Sequence, residues 1–442
     1  MSYSATELKR VFELQSQQVW VNKATTAKER INTLKRLKES IQSRELQIQD
    51  ALSADLRKGA AGTQAELSTV YTDIDHAIEN LAEWMAPTKV RTSPMFDDSR
   101  AQIIQEALGV VLLFGPWNFP FSLVFQPLTA IIAAGNCALV KPNEMAPNIS
   151  AVTAEIIRSV FDEKDVAVFE GGVDLANELL KLPVNHIFFT GSPAVGRIVM
   201  AAAAKHLASV TLELGGKNPV VIDRTADLKD AATKIAVMRT LNSGQVCLCP
   251  ENIWVPEERE EEFLAIVKSV FQGMYYRDGN IVPDLIGKII DKNNIKRIEG
   301  YINNAKECGA RVYCGGEIDE HNLVVHPTIL TGVPAVADIM QEETFGPILN
   351  VFTYKEIDEA IVSIQSQPKP LALYIFTKEQ EFIDSMLERT SSGGVTVNNC
   401  LMHCVEPNLP FGGVNNSGMG SYHGVYGFRQ LSHQRAVLIM EC

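Results

Sequence analysis

The sequence predicts an α/β fold with two parallel-sheet units under a layer of helices, and three patterns indicate it. From residue 108 onwards, short apolar runs alternate with segments of helical periodicity, which is typical of a parallel sheet wrapped by helices. The alternation restarts after residue 213, which indicates a second sheet. Before residue 86, apolar residues recur at helical spacing among many charges, which predicts covering helices.

The predicted elements follow that order along the chain. Residues 5–85 are predicted to be helical, and the polar, proline-containing stretch 86–100 is interpreted as an extended arm. The first sheet has predicted strands at 110–114, 137–140, 166–169 and 187–189, with helices near 121–134, 148–161, 174–181 and 193–206. The second sheet has predicted strands at 220–222, 253–255, 349–352, 373–376 and 394–397. Because no repeat or long linker separates the two series, we expect closely packed units with the active site between them.

The composition is that of an ordinary globular protein. The 442 residues are 46% hydrophobic and 21% charged, which allows a large core. A formal net charge of −13 disfavours nucleic acid as a partner and gives no reason for attraction to anionic lipid. The eight cysteines are dispersed, so we interpret them as reduced thiols and expect a cytoplasmic protein.

No membrane anchor is expected. The N-terminus lacks the apolar core of a signal peptide. The most apolar window, 121–140, contains Pro127 and Asn136 and is interpreted as a buried helix followed by a strand. The sequence ends shortly after the apolar residues 437–440, which predicts no hydrophobic C-terminal anchor.

The stretch 242–250, Asn-Ser-Gly-Gln-Val-Cys-Leu-Cys-Pro, contains the predicted nucleophile, Cys247. A thiolate attacks carbonyl carbon readily, but a catalytic cysteine needs surroundings that lower its pKa or a nearby base. Taken alone, Cys247 would more often be an inert, buried cysteine. Its assignment therefore depends on the other motifs of the chain.

Three further motifs place polar groups at the ends of apolar runs. Glu213 is a lone carboxylate at an apolar strand ending, where burial would raise its pKa toward that of a general base, although a buried structural glutamate is an equally good interpretation. Asn118 follows a Gly-Pro turn, where its amide could donate to an oxyanion or merely form the turn. Gly191 and Ser192 stand where a strand meets a helix, so free N–H groups could hold a diphosphate or the serine could simply cap the helix.

Five separated motifs resemble the aldehyde dehydrogenase superfamily, in the order of that family and across nearly the whole chain. They are Pro-Trp-Asn-Phe-Pro at 116–120, Phe-Thr-Gly-Ser at 189–192, Leu-Glu-Leu-Gly-Gly-Lys at 212–217, Gly-Gln-Val-Cys at 244–247 and Glu-Thr-Phe-Gly-Pro at 343–347. The tail at 409–424 and Ser-His-Gln-Arg at 432–435 are similar to the short class 3 branch, whose members oxidise fatty and aromatic aldehydes.

The resemblance implies the aldehyde dehydrogenase fold, with a Rossmann-like NAD(P)-binding domain, an α/β catalytic domain and a small β oligomerisation arm. The expected NAD(P)-binding domain comprises residues 1–85 and 110–212, and the catalytic domain comprises 213–400. Residues 86–109 and 401–442 would form the arm and the C-terminal tail. Because the class 3 branch forms dimers, we expect a homodimer with contacts from this arm and from the apolar ending.

The resemblance also implies the chemistry. Cys247 would attack the aldehyde, Asn118 and the Cys247 N–H would stabilise the oxyanion, and Glu213 would activate the water that releases the carboxylic acid. The alternatives are a CoA-acylating enzyme, against which Glu213 argues, a semialdehyde-specific dehydrogenase, and a non-enzymatic binding or structural protein on the same fold.

The implied cofactor is NAD, with NADP as a second cofactor, although no stretch matches Gly-x-Gly-x-x-Gly. The family positions that bind it correspond to Trp117, Lys141, Glu144, Gly191, Ser192, Pro193, Ala194, Val195, Gly196, Glu343 and Phe345. Lys141 and Glu144 would hold the adenosine ribose, and a carboxylate there favours NAD because it repels a 2′-phosphate.

No metal is expected, and the substrate is expected to be apolar. The Cys-x-Cys at 247–249 and the Cys400–Cys404 cluster are too sparse for zinc. Phe119, Val246 and Leu248 are the predicted walls of the aldehyde entrance, which favours medium- to long-chain aliphatic or aromatic aldehydes. A small charged semialdehyde would need a Lys or Arg near Cys247; none is close in sequence, although a distant one could fold in.

Overall fold

The computed structural model describes residues 3–440 and shows an α/β fold with two large sheets. In chain order the helices are α1 (Ala5–Lys23), α2 (Ala27–Gln42), α3 (Glu45–Leu56), α4 (Ala60–Trp84), α5 (Ser122–Ala134), α6 (Pro147–Val160), α7 (Val173–Leu179), α8 (Pro193–Ala204), α9 (Leu228–Thr240), α10 (Glu260–Tyr275), α11 (Lys292–Glu307), α12 (Asp338–Gln341), α13 (Ile357–Ser366), α14 (Gln380–Arg389) and α15 (Gly424–Gln430). The strands are β1 (Thr88–Val90), β2 (Ser99–Ala107), β3 (Val110–Phe114), β4 (Cys137–Lys141), β5 (Val166–Val168), β6 (His186–Thr190), β7 (Ser209–Glu213), β8 (Pro219–Ile222), β9 (Asn252–Pro256), β10 (Tyr276–Arg277), β11 (Asn280–Ile281), β12 (Arg311–Cys314), β13 (Ile318–Asp319), β14 (Val324–Val325), β15 (Thr328–Thr331), β16 (Ile348–Tyr354), β17 (Ala372–Phe376), β18 (Gly394–Val397), β19 (Gly418–Met419) and β20 (Ser432–Met440). The strands and helices predicted for both sheets are confirmed, with ends that differ by about two residues.

The first sheet has the strand order β19-β7-β6-β3-β4-β5. From β7 to β5 all neighbours are parallel. Strand β3 is buried at every position, and its alternate residues enter two hydrophobic cores, Val111 and Leu113 one of them and Leu112 the other. Helices therefore cover both faces of this sheet, which is why its strands are continuous apolar runs.

The second sheet has the order β12-β15-β16-β9-β8-β17-β18. It is parallel except at β12, which pairs antiparallel with β15 and is interrupted by a bulge between Val312 and Cys314. In the first sheet β19 is likewise an antiparallel edge strand. The predicted parallel sheets are confirmed, and the two antiparallel edge strands were not predicted, because short edge strands carry no continuous apolar run.

The predicted arm is a separate three-stranded antiparallel sheet of order β1-β2-β20. Strands β2 and β20 pair along their whole length, from Ser99 opposite Met440 to Ala107 opposite Ser432. Earlier parts of the predicted tail lie elsewhere, since Gly418 of β19 pairs with Glu213 of β7. Glu441 and Cys442 lie outside the described residues, and the proposed domain boundaries stay a prediction.

The amino-terminal helices form as their periodicity predicts. Helix α2 begins with a capping box, in which the Glu29 N–H donates to Thr26 Oγ1 at 3.3 Å and the Thr26 N–H donates to Glu29 Oε2 at 2.8 Å. The buried face of this helix carries Leu34, Leu37 and Ile41. The apolar window 121–140 folds as α5 and β4, as predicted, and no helix within residues 3–440 is long and apolar enough to cross a membrane.

Candidate active site

The predicted site residues of the first sheet gather at one edge. Strands β3, β4, β6 and β7 are parallel, so their carboxyl ends meet there. Strands β4 and β7 end with Lys141 and Glu213. Asn118 follows β3, and Gly191 follows β6. The Gly191 N–H donates to the Glu213 carbonyl oxygen at 2.9 Å, which links two of the motifs directly. Ligands of open α/β sheets bind at this kind of edge.

The loop that carries Cys247 has an unusual backbone. Asn242, Ser243 and Gly244 all have positive φ, at 49°, 54° and 74°. Any side chain at Gly244 would collide with the main chain at Gly346, so this position requires glycine. The chain thereby makes a tight turn just before Cys247, which is partly exposed as a residue while it packs against the hydrophobic core.

The loop is then fixed by side chains that the sequence left without a role. Buried Gln245 donates to the Lys288 carbonyl at 3.0 Å and accepts from the Ile290 N–H at 2.9 Å. Asn218 Nδ2 donates to the carbonyl oxygen of Cys247 at 2.7 Å. The Cys247 N–H, by contrast, has no hydrogen-bond partner among residues 3–440, so it is free to bind an oxygen.

Asn118 contacts the loop that carries Cys247. Its Nδ2 donates to the Gln245 carbonyl, two residues before Cys247, at 3.0 Å, and its second N–H stays available. Asn242 Nδ2 donates to the Asn118 carbonyl at 3.0 Å. The buried side chain of Asn118 and the main chain of Cys247 therefore each offer one available N–H donor on this loop.

Glu213 is 4% exposed and ends β7. Neither of its carboxylate oxygens has a hydrogen-bond partner among the described residues. Burial raises its pKa well above 4.5, because the charged form loses its solvation and gains no hydrogen bond in return. A buried structural glutamate would have its oxygens bonded, so the geometry favours a group that accepts a proton.

The thiol of Cys247 is not activated in this state. Burial, followed by the negative charges of Glu343 and Glu213, raises its pKa well above 9. The sequence leaves open a lowered pKa or a nearby base, and the first of these conditions is not met.

The loop 341–347 brings a second group of predicted cofactor residues to the site. Phe345 has a φ of 45° and packs edge-on against Trp117, with ring centroids 5.3 Å apart. Burial, with the charge of Glu251 next, raises the pKa of Glu343 to about 8. A side chain at Gly215 would collide with the Glu343 carboxylate, so this glycine lets the loop approach β7 closely.

The start of α8 presents the predicted diphosphate site. Ser192 caps the helix, since its Oγ accepts from the Val195 N–H at 3.4 Å, and Pro193 occupies the first turn. Val195 and Ile198 are 43% and 59% exposed, so an apolar face of this helix is left uncovered. Gly196 packs against Leu214, which joins the helix to the end of β7.

The predicted ribose pair lies at the end of β4. Lys141 is almost fully buried, and its Nζ donates to Glu144 Oε2 at 2.7 Å. A dinucleotide fits these surroundings, with N–H groups at the α8 terminus for phosphates, the Lys141–Glu144 pair for a diol, and Glu343 for a second hydroxyl. Ala194, in the first turn of α8, is exposed and leaves the approach open.

The predicted wall residues next to Cys247 differ in burial. Val246 and Leu248 are buried in the hydrophobic core, whereas Phe119 is partly exposed. An aromatic residue from a distant part of the chain also lies near Cys247. Burial raises the pKa of Tyr422 far above its usual value, with Cys247 among the neighbours that add to the shift, and Phe411 packs edge-on against that tyrosine at 5.6 Å. The role of Phe119, Val246 and Leu248 as walls of the aldehyde entrance stays a prediction.

A buried ion pair beneath Asn118 was not predicted. Lys58 Nζ and Glu66 Oε1 form it, 2.6 Å apart. A signal exists, since Glu66 and Asp73 lie on the buried stripe of α4 among apolar residues. Within residues 3–440, no group of three or more His, Cys, Asp or Glu side chains is placed to hold a metal ion.

Comparisons with known proteins agree on one family. The model of the aldehyde dehydrogenase family matches residues 4–437. The chain is 44% identical over 436 residues to AldX of Bacillus subtilis, covering 98% of each. It is 42% identical to mouse aldehyde dehydrogenase family 3 member A2, covering 93% of this chain and 84% of the relative. It is 38% identical to the 4,4′-diaponeurosporen-aldehyde dehydrogenase of Staphylococcus aureus, covering 92% and 88%.

Solved structures share the fold along the whole chain. AldH of Staphylococcus aureus, in its substrate-bound state, superposes with a TM-score of 0.93 at 34% identity, covering all of this chain and 95% of that one. An E. coli NADP-dependent enzyme gives 0.91 at 27% identity, covering 99% and 91%. An NAD-dependent aldehyde dehydrogenase from Sinorhizobium meliloti gives 0.91 at 26% identity, covering 99% and 88%.

Proposed function

The chain belongs to the aldehyde dehydrogenase family, and on that premise we propose that Cys247, Glu213 and Asn118 carry out its oxidation of aldehydes to carboxylic acids. The observation that carries the proposal is the convergence of a partly exposed thiol, two free N–H donors and a buried carboxylate without partners. A binding or structural protein would have no need of an unpaired buried carboxylate, which is costly to keep.

Acylation begins when the Cys247 thiol gives its proton to solvent and the sulfur bonds to the carbonyl carbon. The carbonyl oxygen becomes an alkoxide, and the second N–H of Asn118 and the free N–H of Cys247 donate to it. The nicotinamide of a bound dinucleotide would supply the hydride acceptor for the substrate carbon. Re-formation of the C=O bond leaves a thioester on Cys247.

Deacylation needs a base for water, and Glu213 suits this step. Its carboxylate takes one proton from water as the oxygen bonds to the thioester carbon, and the sulfur then leaves. The product is a carboxylic acid, which ionises on release, and the thiol is restored by the proton that Glu213 held. A CoA-acylating enzyme would transfer the acyl group to a thiol and would not need a buried base here.

The cofactor is a nicotinamide dinucleotide, and we propose that both NAD and NADP are accepted. Support comes from the Lys141–Glu144 pair: the carboxylate repels a 2′-phosphate, but it is partly exposed, and the lysine beside it offers a positive charge. We assign the remaining predicted cofactor residues, Gly191 to Gly196 with Trp117, Glu343 and Phe345, to the same dinucleotide.

Glu144→Gln should raise the ratio of kcat/KM for NADP to that for NAD by roughly tenfold, because it removes a repulsive charge and frees Lys141. Steady-state kinetics with both cofactors measures this ratio. Glu163→Gln is the matched control, since Glu163 is also a surface carboxylate in an ion pair, with Arg10, but precedes the amino end of β5. An unchanged ratio in Glu144→Gln would mean that this side chain does not face the ribose.

We propose medium- to long-chain aliphatic or aromatic aldehydes as substrates. Tyr422, which has Cys247 among its neighbours, supports this, and so does Lys58, a distant lysine that lies beside Phe119. Its ammonium is already bound by Glu66, so it offers no free charge to an anionic substrate. The name of the Staphylococcus aureus relative gives 4,4′-diaponeurosporen-aldehyde as the substrate of that protein, which is consistent with an aldehyde substrate here.

A panel of aldehydes should show kcat/KM rising from acetaldehyde to hexanal by several-fold per methylene, since each buried CH₂ contributes about 0.8 kcal/mol. Benzaldehyde should also be favoured. Initial rates with NAD and NADP separately measure the series, and succinic semialdehyde is the charged comparison. A preference for succinic semialdehyde over hexanal would contradict the substrate class, and inactivity throughout would favour the non-enzymatic alternative.

We also propose a homodimer held together through the β1-β2-β20 arm. Strand β20 is an edge strand of this sheet, and Leu438, Ile439 and Met440 are exposed on it, as expected of a surface that another chain covers. A cytoplasmic location is proposed as well, and it accords with the free thiols of the cysteines within residues 3–440.

Light scattering at micromolar concentration should give twice the chain mass for the wild type. Leu438→Lys combined with Ile439→Lys should shift the protein toward the monomer, because two buried apolar contacts are replaced by like charges. Val173→Lys, on exposed helix α7, is the control and should stay dimeric. A monomeric wild type would contradict the homodimer and leave the proposed catalytic roles unchanged.

A further inference from the structure

A buried ion pair lies directly under the Asn118 loop. The side chains of Lys58 and Glu66 are 5% and 0% exposed, and Lys58 Nζ donates to Glu66 Oε1 at 2.6 Å. Both residues come from the amino-terminal helical region, one just before α4 and one within it. Burial of two charges costs solvation, and an apolar pair of similar volume often serves stability as well or better.

Glu66 fixes the far end of the Asn118 loop. Its Oε2 accepts from the N–H groups of Phe121 at 3.1 Å and Ser122 at 2.9 Å, and from Ser122 Oγ at 3.2 Å. These are the groups that begin helix α5, so the carboxylate holds the helix start where orphan N–H donors and the helix dipole favour a negative charge. The loop cannot shift along the helix axis without breaking these bonds.

Lys58 fixes the main chain of Asn118, the proposed oxyanion donor. Its Nζ donates to the main-chain carbonyl of Asn118 at 2.8 Å and lies 3.9 Å from the ring centre of Phe119. The Asn118 carbonyl also accepts from Asn242 Nδ2 at 3.0 Å. The main chain of Asn118 is thus held from below by the ion pair and from the side by the nucleophile loop.

We propose that Lys58 and Glu66 are positioning residues for aldehyde oxidation, which hold the Asn118 main chain where its side-chain amide donates to the oxyanion. The inference rests on the proposed role of Asn118. The donors of Lys58 are directed at Glu66, the Asn118 carbonyl and the Phe119 ring, so the lysine acts through Asn118 and not by touching the substrate. A misplacement of about 1 Å at a donor costs up to roughly 100-fold in rate.

The test is a double-mutant cycle of Lys58→Met and Asn118→Ala, read as single-turnover NADH formation from hexanal at saturating NAD. Each single variant should be slower, Lys58→Met by roughly 10- to 100-fold. The double variant should be about as slow as Asn118→Ala alone, because the lysine has nothing left to position. NAD affinity should stay within about threefold of the wild-type value in all three variants.

Lys38→Met is the matched control, since Lys38 pairs with Asp75 of the same helix α4 at 2.6 Å but contacts no active-site loop. It should leave the hydride-transfer rate unchanged. Glu66→Gln serves if Lys58→Met fails to fold, because its amide oxygen can still accept from Phe121 and Ser122 while the charge is lost. This variant should also be slow and non-additive with Asn118→Ala.

The possible outcomes separate the two proposals. Multiplicative losses in the double variant, or a normal rate in both Lys58→Met and Glu66→Gln, would overturn the positioning role while leaving Asn118 in place. A normal rate in Asn118→Ala would instead overturn the oxyanion assignment and the inference with it. Loss of NAD affinity together with rate in Lys58→Met would indicate a general structural role and would also overturn the proposal.

Discussion

Cys247→Ala should abolish aldehyde oxidation, by on the order of 10⁴-fold or more, while NAD still binds. The sulfur is the only group in the loop 242–250 that is both partly exposed and able to bond to carbon beside two free N–H donors. The cofactor residues lie on other elements and keep their geometry. NADH formation measures the loss, and fluorescence titration with NADH measures the retained binding.

Cys249→Ala is the matched control for this experiment. Cys249 is buried, and its thiol donates to the Met238 carbonyl with a sulfur–oxygen distance of 3.2 Å, so it packs against α9 rather than facing the site. Its removal should lower stability and leave most of the activity. If Cys249→Ala were inactive and Cys247→Ala active, the assignment of the nucleophile would be wrong.

The sheets could be predicted because burial on both faces turns their strands into continuous apolar runs. Val110–Phe114 and Ala372–Phe376 are buried at every position and stand out for that reason. Strand β12 is an edge strand, exposed or half-buried at each position and interrupted by a bulge, so it has neither an apolar run nor clean alternation. Antiparallel edges are set by long-range pairing, which no local pattern encodes.

The site could be predicted in its motifs but not in its electrostatics. Gly-Gln-Val-Cys identifies the loop, and the structure supplies a reason for its first two residues, since Gly244 turns the chain and Gln245 bonds to residues 288–290. The raised pKa of Cys247 depends on Glu343, which is distant in sequence. The role of Lys58 could not be predicted for the same reason, because it follows from contacts with Asn118 that only the fold creates.

The coupling between the carboxylates and the thiol bears on the order of events. Since burial and, after it, Glu343 and Glu213 raise the pKa of Cys247, the free enzyme holds a mostly protonated thiol at neutral pH. A group that shields or displaces either charge would activate the sulfur. The residues that surround the proposed cofactor space include Glu343, so reactivity and cofactor occupancy are expected to be linked.

Glu213→Gln should convert the enzyme into one that stops after acylation. The amide keeps the size of the side chain but cannot take a proton from water, so the thioester on Cys247 should persist while steady-state turnover falls by roughly 10²- to 10⁴-fold. A burst of NADH equal to the enzyme concentration should precede the slow phase, because the thiol gives its proton to solvent and does not need Glu213. Mass spectrometry of the Cys247 peptide after one turnover should find the acyl adduct.

The pH dependence and the thiol reactivity of the same variant make this test specific to the base. Burial raises the pKa of Glu213, so its basic form accumulates only as pH rises through that raised value, and wild-type deacylation should accelerate over this range. Glu213→Gln should lose that acceleration. It should also react with iodoacetamide about as fast as the wild type, because the thiol does not depend on Glu213 to lose its proton. Glu342→Gln, which alters an exposed carboxylate beside Glu343, is the control and should hydrolyse the thioester normally.

A normal steady-state rate without any adduct in Glu213→Gln would remove this residue from the mechanism and reopen the transfer of the acyl group to another acceptor.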